Sequence, residues 1–485
     1  MCATASRCAP TISGRLITCS TMNRPLPSPR SLARRLLSLR RRRELDLSGF
    51  PDFAVPASAI ETLAGPAAFR ETLLSLIGQA QRRIVLVALY LQDDDAGREV
   101  LEALYAAHQA RPELQIEVYV DWHRARRGLI GKGKSEGNAA MYRDYAQRFG
   151  DGVVVRGVPV QTRELFGVLH LKGFIIDGAV LYSGASLNDV YLDRHGRYRL
   201  DRYHLIRHRT LADSMANFVR AQFCENDAVP RFDRWPLPRP RDMQEPIRRL
   251  RQSLSQAQYQ GPGESPREGD VSVIPLVGFG RSDNALNKVL IDLLRGAHKR
   301  VILLTPYFNL PRPVRKEIGH LLRRGCELHI MVGDKTANDF YIPPDQPFTR
   351  IGLLPYLYEA NLRRFARSHQ AAIESGQLNL WLWRHGDNSY HLKGLFVDGE
   401  IAVLTGNNLN PRAWALDLEN GLLLRDPSGL LHAQHTAEWD TLREHATRLG
   451  HYRELQGVRS YPPEVRRLLK RLRRVRLDRL LGRLL

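Results

Sequence analysis

Two stretches of the chain set a histidine, a lysine and an aspartate at one spacing. His170, Lys172 and Asp177 read H-x-K-x-x-x-x-D, and so do His391, Lys393 and Asp398. Each is followed by a short apolar run and then by glycine and asparagine. The first copy has Gly184-Ala185-Ser186-Leu187-Asn188, the second Gly406-Asn407-Asn408-Leu409-Asn410. A single match of three residues is a weak signal, but two with similar sequels indicate an internal duplication, one half-site per copy. These residue types suit a phosphodiester or pyrophosphate. Its non-bridging oxygens are anionic, and Lys172 and Lys393 supply a positive clamp without a metal ion. Asn188 and Asn410 can donate further hydrogen bonds to those oxygens. One neutral imidazole attacks phosphorus and forms a phosphohistidine. The other is acid to the leaving group, then base to the incoming hydroxyl. The symmetry of the motifs leaves open which histidine does which. Asp177 and Asp398 complete the motif and count with the catalytic set, although both follow apolar residues at strand ends. That position suits holding the fold or pairing with a lysine. His123, His204 and His320 are read as structural.

The elements that must carry these residues repeat as well. In the first copy a helix over Phe69 to Ala80 precedes a strand over Arg83 to Tyr90. A helix over Gly97 to Gln109 and a strand over Ile116 to Val120 lead to a Gly-rich, basic loop, Arg124 to Gly137. A further helix and a strand near Val153 to Val155 bring the chain to His170. The second copy has a helix at Asn284 to Ala297, a strand at Arg300 to Leu304, and a helix at Val314 to Arg324. A strand at Leu328 to Val332, a helix at Leu354 to Glu374 and a strand at Leu378 to Trp383 then reach His391. Alternating strands and helices predict α/β layers. The implied organisation is a leader over 1–50, a first domain over 51–229 and a linker over 230–269 with one helix, Asp242 to Gln256. A second domain over 270–430 and a basic helical tail over 431–485 complete it.

Charge is concentrated at the ends. The net charge is +21, of which residues 1–45 carry +9 and 464–485 carry +7, leaving a nearly neutral body. Such ends favour polyanions: nucleic acid, a ribosome, or an anionic membrane face. Solvated tails are the plain alternative. Leu32, Leu36, Leu37 and Leu39 among six arginines suggest a basic amphipathic helix. Val465, Leu468, Leu469, Leu472 and Val475 form one stripe in the tail, and Leu477, Leu480, Leu481, Leu484 and Leu485 another. Both core-facing and membrane-surface readings are open. The longest apolar runs are too short to span a bilayer. Cys224 and Cys326 stand alone with no metal-ligand spacing, and the other three cysteines lie in the leader, which suits a reducing cytosol. No metal or cofactor is expected.

The doubled H-x-K-x-x-x-x-D motif resembles the phospholipase D superfamily. Within it, five segments resemble the bacterial phosphatidylserine synthases: Val120 to Arg124, Val168 to Asp177, Tyr182 to Tyr191, Gly333 to Pro343 and Gly406 to Trp414. The likeness runs from about residue 50 to the end. It implies two α-β-α domains with mixed sheets, related by a pseudo-twofold, and basic amphipathic tails. The implied reaction is CDP-diacylglycerol plus L-serine giving phosphatidylserine and CMP, through a phosphatidyl-histidine. By that analogy His170 is the nucleophile and His391 the acid and base. Ser186, Asn188, Asn408, Asn410 and Glu419 are expected around the substrate. Glu419 fits the glutamate that orients a histidine in such sites, whereas the matching position in the first half is Tyr203, with Asp201 as a substitute. A cytoplasmic protein peripherally bound to the inner membrane is implied, with no oligomer required. Serine needs an arginine and an acid near the histidines. Arg124, Asp189, Asp339 and Arg412 lie in the matching segments without an assigned contact, and Lys335 to Tyr341 is a candidate for the cytidine end. Two other readings stay open: glycerol 3-phosphate or another alcohol as acceptor, and a phosphodiesterase or nuclease.

Overall fold

The two copies of the motif occupy two sheets with one strand order. The structure, a computed structural model, describes residues 45–127, 137–239, 241–343 and 345–474. The basic helix expected near Leu32, most of the Arg124 to Gly137 loop and the second leucine stripe of the tail lie outside the described residues.

The first sheet has seven strands, in the order 60–62, 203–207, 179–183, 173–176, 83–87, 115–121 and 153–158. The second has nine, and its six central strands, 418–425, 401–405, 394–397, 300–304, 327–333 and 378–383, follow the same path. In both, the strand after the histidine runs antiparallel to its neighbour (Gly173–Ile176 with Arg83–Val87, Gly394–Val397 with Arg300–Leu304), while the next two strands run parallel to that neighbour. Each sheet is therefore mixed. Helices cover the faces, which explains why the central strands read as unbroken apolar runs: Ile84, Val85, Leu86 and Val87, like Val301, Ile302, Leu303 and Leu304, are buried throughout.

The expected elements are present within a few residues of their bounds. Helices form at Gly65–Gln79, Asp95–Ala110, Ala285–Gly296 and Arg312–Arg323. The helix expected from Leu354 to Glu374 is broken at His369 into Leu354–Ser368 and Gln370–Glu374.

Two segments pack differently from their place in the sequence. Phe53–Pro56, at the start of the span read as the first domain, pairs with Asp270–Phe279 in the second sheet. Between the halves, the helix Gln244–Leu254 buries Ile247, Leu250 and Leu254, and Phe232 stacks on Trp122 with ring centres 5.3 Å apart. The stretch after residue 230 is thus fastened to the first half by apolar burial. In the tail, the helix Pro463–Arg474 buries Val465 and Leu469 in a small cluster with Leu353, Tyr356 and Tyr461. Val465, Leu468, Leu469 and Leu472 of the first stripe face protein, and Arg466, Arg467, Lys470 and Arg471 face outward.

The aspartates of the motif are part of this framework. Strand Gly173–Ile176 separates His170 from Asp177 by about 13 Å of extended chain. The Asp177 carboxylate accepts the backbone N–H groups of Gln81, Arg82 and Arg83 at 2.8 to 3.0 Å. Asp398 does the same for His298, Lys299 and Arg300. Both residues have positive φ, 49° and 57°, a conformation that aspartate tolerates better than most. The catalytic assignment made for Asp177 and Asp398 is corrected accordingly: each pins the turn after the histidine strand to the start of the neighbouring strand.

Candidate active site

Each histidine is fixed by the opposite half of the molecule. His170 N–H donates to Leu418 O at 2.9 Å, and Leu418 N–H returns a bond to Val168 O. His391 N–H donates to Leu200 O at 2.8 Å, just beyond the short parallel pairing of Ser389–Tyr390 with Arg199–Leu200. Asp121, fully buried, accepts from Leu169 N–H and so sets the approach to His170 from its own half.

The side chains are exchanged in the same way. His170 Nδ1 lies 2.8 Å from Glu419 Oε2, 249 positions along the chain. Asp201, from the first half, lies 2.6 Å from Lys393 Nζ and 3.6 Å from His391 Nδ1. Glu419, expected around the substrate and as the residue that orients a histidine, meets a histidine through Oε2, and that histidine belongs to the other half. Asp201 fills the corresponding place in the first half. Tyr203, the aligned residue, instead binds the Asp201 backbone N–H through its hydroxyl.

The two imidazoles differ in what their Nδ1 atoms meet. An ionised Glu419 can only accept, so His170 Nδ1 carries the proton and its Nε2 keeps a lone pair. Lys393 Nζ sits 2.7 Å from His391 Nδ1, and Tyr191 OH 3.1 Å. An ammonium can only donate, so this Nδ1 accepts and Nε2 carries the proton. Burial first, then Lys172 and Lys393, hold His170 well below the usual histidine range. Burial and Lys393 bring His391 to about 4 against the pull of Asp201 and Asp339. Both rings are neutral near pH 7. The Glu419 carboxyl is pushed well up by burial and Asp417, with Lys172, Lys393 and Arg412 pulling it back.

The lysines differ too. Lys393 is bound to Asp201 and to Gly184 O. Lys172 Nζ has one hydrogen-bond partner among the described residues, Ser186 Oγ at 3.3 Å, and burial and Lys393 lower it to about 7. The glycines of the G-x-N runs make this crossing possible. A Cβ on Gly184 would come within 2.6 Å of Lys393 Nζ, and one on Gly406 within 2.8 Å of Lys172 Cγ. Each lysine passes over the glycine of the other copy.

Asn188 and Asn410 play matching parts. Asn188 Oδ1 accepts from Tyr191 N–H and Asn410 Oδ1 from Ala413 N–H, so both carbonyls are used on the chain and both amides remain as donors. Asn188 Nδ2 has a long contact, 3.4 Å, to Gln92. Asn408 Oδ1 is buried with no hydrogen-bond partner among the described residues.

Of the four residues considered for serine, Arg124 pairs with Glu164 at 3.6 Å, Asp189 accepts from Ala96 N–H, and Arg412 spans Asp417 and Glu164 O. Only Asp339 of these lies against a motif histidine, 3.8 Å from His391 Nε2. Lys335, in the peptide considered for cytidine, is taken by Glu359 and Gln456 and lies over Tyr356 and Tyr461. The reading of the motifs missed Arg199, Tyr191 and Tyr307, which crowd His391. The spacing holds one clue: Arg199 stands two positions before Asp201, as Asp417 stands before Glu419.

Known proteins resemble the chain along nearly its whole length. A family model described as cardiolipin synthase, PLD-like domain, matches residues 290–442. The chain is 49% identical to the CDP-diacylglycerol–serine O-phosphatidyltransferase of Escherichia coli strain K12, over 92% of this chain and 99% of that protein. It is 46% identical to the enzyme of the same name from Haemophilus influenzae, over 93% of this chain and all of the other. The crystal structure of phosphatidylserine synthase from Haemophilus influenzae superposes with a TM-score of 0.88, covering 91% of this chain and 99% of that one.

Proposed function

The chain belongs to the CDP-diacylglycerol–serine O-phosphatidyltransferase family, and on that premise we propose how it moves a phosphatidyl group from CDP-diacylglycerol to L-serine with release of CMP. The observation that carries the proposal is the different partner of each Nδ1, Glu419 Oε2 at 2.8 Å on His170 and Lys393 Nζ at 2.7 Å on His391, which with an ionised Glu419 favours opposite proton placement on the two rings.

His170 Nε2 attacks the phosphatidyl phosphorus, and the bond to the CMP oxygen breaks. His391 Nε2 gives its proton to that oxygen while Nδ1 takes one from Lys393, so the ring stays neutral. Lys172, with the amides of Asn188 and Asn410, holds the non-bridging oxygens as charge builds on them, while Lys393 stays on Asp201, Gly184 O and His391. The result is a phosphatidyl-histidine on His170. His391 Nε2, now bearing a lone pair, takes the proton of the serine hydroxyl as its oxygen bonds to phosphorus and the phosphorus–nitrogen bond breaks, and Nδ1 returns its proton to Lys393. The second step reverses the proton movements of the first, so the pair returns to its starting state.

Labelled CDP-diacylglycerol in mixed micelles tests the reading, with serine, glycerol 3-phosphate or water alone as acceptor. Phosphatidylserine forms with serine, and water yields only slow phosphatidic acid. Faster transfer to glycerol 3-phosphate than to serine would reassign the acceptor.

Among the described residues no helix is long and apolar enough to cross a membrane. We infer that the protein meets its lipid from the cytoplasmic side, at the anionic inner-membrane surface, through its basic ends. The outward Arg466, Arg467, Lys470 and Arg471 support this. Removal of residues 464–485 weakens flotation with anionic liposomes and lowers turnover on liposomes more than in micelles. Equal flotation with and without the tail rules the inference out.

A further inference from the structure

An acceptor must bring its hydroxyl to His391 Nε2, and the group beside that nitrogen is a carboxylate. Asp339 Oδ2 lies 3.8 Å away. Tyr307 OH donates to the same oxygen at 2.8 Å, and Arg199 Nε stands 2.7 Å from the other. Burial raises the Asp339 carboxyl, but Arg199, His391 and the hydrogen bonds of Tyr307 and Ser389 together outweigh it and hold it below the usual range, so it is ionised. The Arg199 guanidinium lies over the Tyr191 ring, 4.8 Å from its centre, and its Nη nitrogens make no hydrogen bond among the described residues. The phosphorus chemistry has no use for a negative group here. Beside an anionic lipid donor a carboxylate works against binding, and a buried charge pair is costly to keep.

We propose that Asp339 and Arg199 form the acceptor subsite, Asp339 taking the α-ammonium of the amino acid and Arg199 its carboxylate, with the hydroxyl aimed at His391 Nε2. The inference rests on the serine reading above and names the side chains that select this acceptor. In a staggered 1,2-amino alcohol the oxygen and nitrogen are about 2.9 Å apart when gauche. Hydrogen bonds of about 2.8 Å from the hydroxyl to Nε2 and from the ammonium to Oδ2 close over the 3.8 Å between those atoms. Charges match as well: a neutral pair of opposite charges meets a neutral zwitterion. A phosphate-bearing alcohol would set like charge against Asp339, which is selection by repulsion. In the step itself, the serine Oγ–phosphorus bond forms and the phosphorus–Nε2 bond to His170 breaks. That electron pair returns to the ring, and the hydroxyl proton goes to His391.

Asp339→Asn is the test, read as the ratio of kcat/KM for L-serine to that for 3-hydroxypropionate. The second compound keeps the hydroxyl and carboxylate but has no ammonium. The unaltered protein prefers serine by about 10³-fold or more, since a site built to bind a polar group rejects an analogue lacking it. In the variant the ratio falls by about 100-fold or more, mainly through the KM for serine. An unchanged ratio, with both acceptors slowed alike, overturns the proposal and leaves Asp339 a structural role. Should the variant use neither acceptor, inhibition of the unaltered protein decides. L-Alanine, with both charged groups and no hydroxyl, competes with serine, whereas 3-hydroxypropionate does not. No competition by L-alanine, or equal inhibition by both, overturns the proposal. Absence of phosphatidylserine from the unaltered protein would fell the serine reading itself; phosphatidylserine with an unchanged ratio fells the subsite alone.

Discussion

His170→Asn stops CMP release from CDP-diacylglycerol with serine or with water, by about 10⁴-fold or more, and no phosphatidyl label stays on the protein. His391→Asn behaves differently, although the two residues occupy equal places in the motif. CMP departs as a phosphate with an ordinary second pKa near 6, a leaving group that needs modest help from an acid. The serine hydroxyl is a poor nucleophile until a base takes its proton. Loss of His391 therefore slows the second step more than the first, within the range of about 10²- to 10⁴-fold typical of a general acid or base. Labelled phosphatidyl accumulates on the protein, labile to acid as a phosphoramidate is. Label on the His170→Asn protein, or none on His391→Asn in a single-turnover experiment, would reverse the assignment.

Glu419→Gln gives the next largest effect. The amide preserves size but carries no charge, and its NH₂ can turn toward Nδ1. The proton then moves to Nε2 and the lone pair that attacks phosphorus is lost. Loss of the orienting carboxylate in the Ser-His-Asp triad shows how costly a wrong tautomer is, and a fall in kcat of about 10³-fold or more is expected here. The pH profile separates this from mere misplacement. In the unaltered protein the Glu419 carboxyl is raised, so it takes up its proton at a higher pH than an ordinary glutamate, and kcat/KM falls as pH drops through that value. The variant has no such group, and the acid limb flattens. On the alkaline side Lys172, brought down to about 7, loses its charge as pH rises, so kcat/KM declines there in both proteins. An acid limb unchanged in Glu419→Gln would assign it to another group.

How much of this was legible beforehand follows the range of the signals. His, Lys and the G-x-N run are local patterns, and duplication made them readable. The alternating strands and helices followed from apolar runs that only a sheet covered on both faces would bury, whereas the order of the strands within each sheet did not. Asp177 and Asp398 were half legible: the motif counted them as catalytic, while their place at strand ends pointed to the backbone role that their three amide bonds display. Glu419 was found through the resemblance to phospholipase D-like sites, but alignment within one copy could not say that its histidine lies in the other, 249 positions away. Arg199 was invisible because neither motif contains it and its partner Asp339 comes from the opposite half. Such pairings depend on how the sheets meet, which no local period encodes.

The exchange of carboxylates makes the chemistry an all-or-nothing property of the finished chain. A product truncated before Asp417 would still hold His170, Lys172, His391 and Lys393, yet its nucleophile would lack the group that fixes its proton. A nascent chain that ends before Glu419 is therefore expected to leave CDP-diacylglycerol uncleaved. The same arrangement makes the molecule a natural logic gate: two inert fragments, one ending and one beginning between the halves, would regain turnover only on assembly.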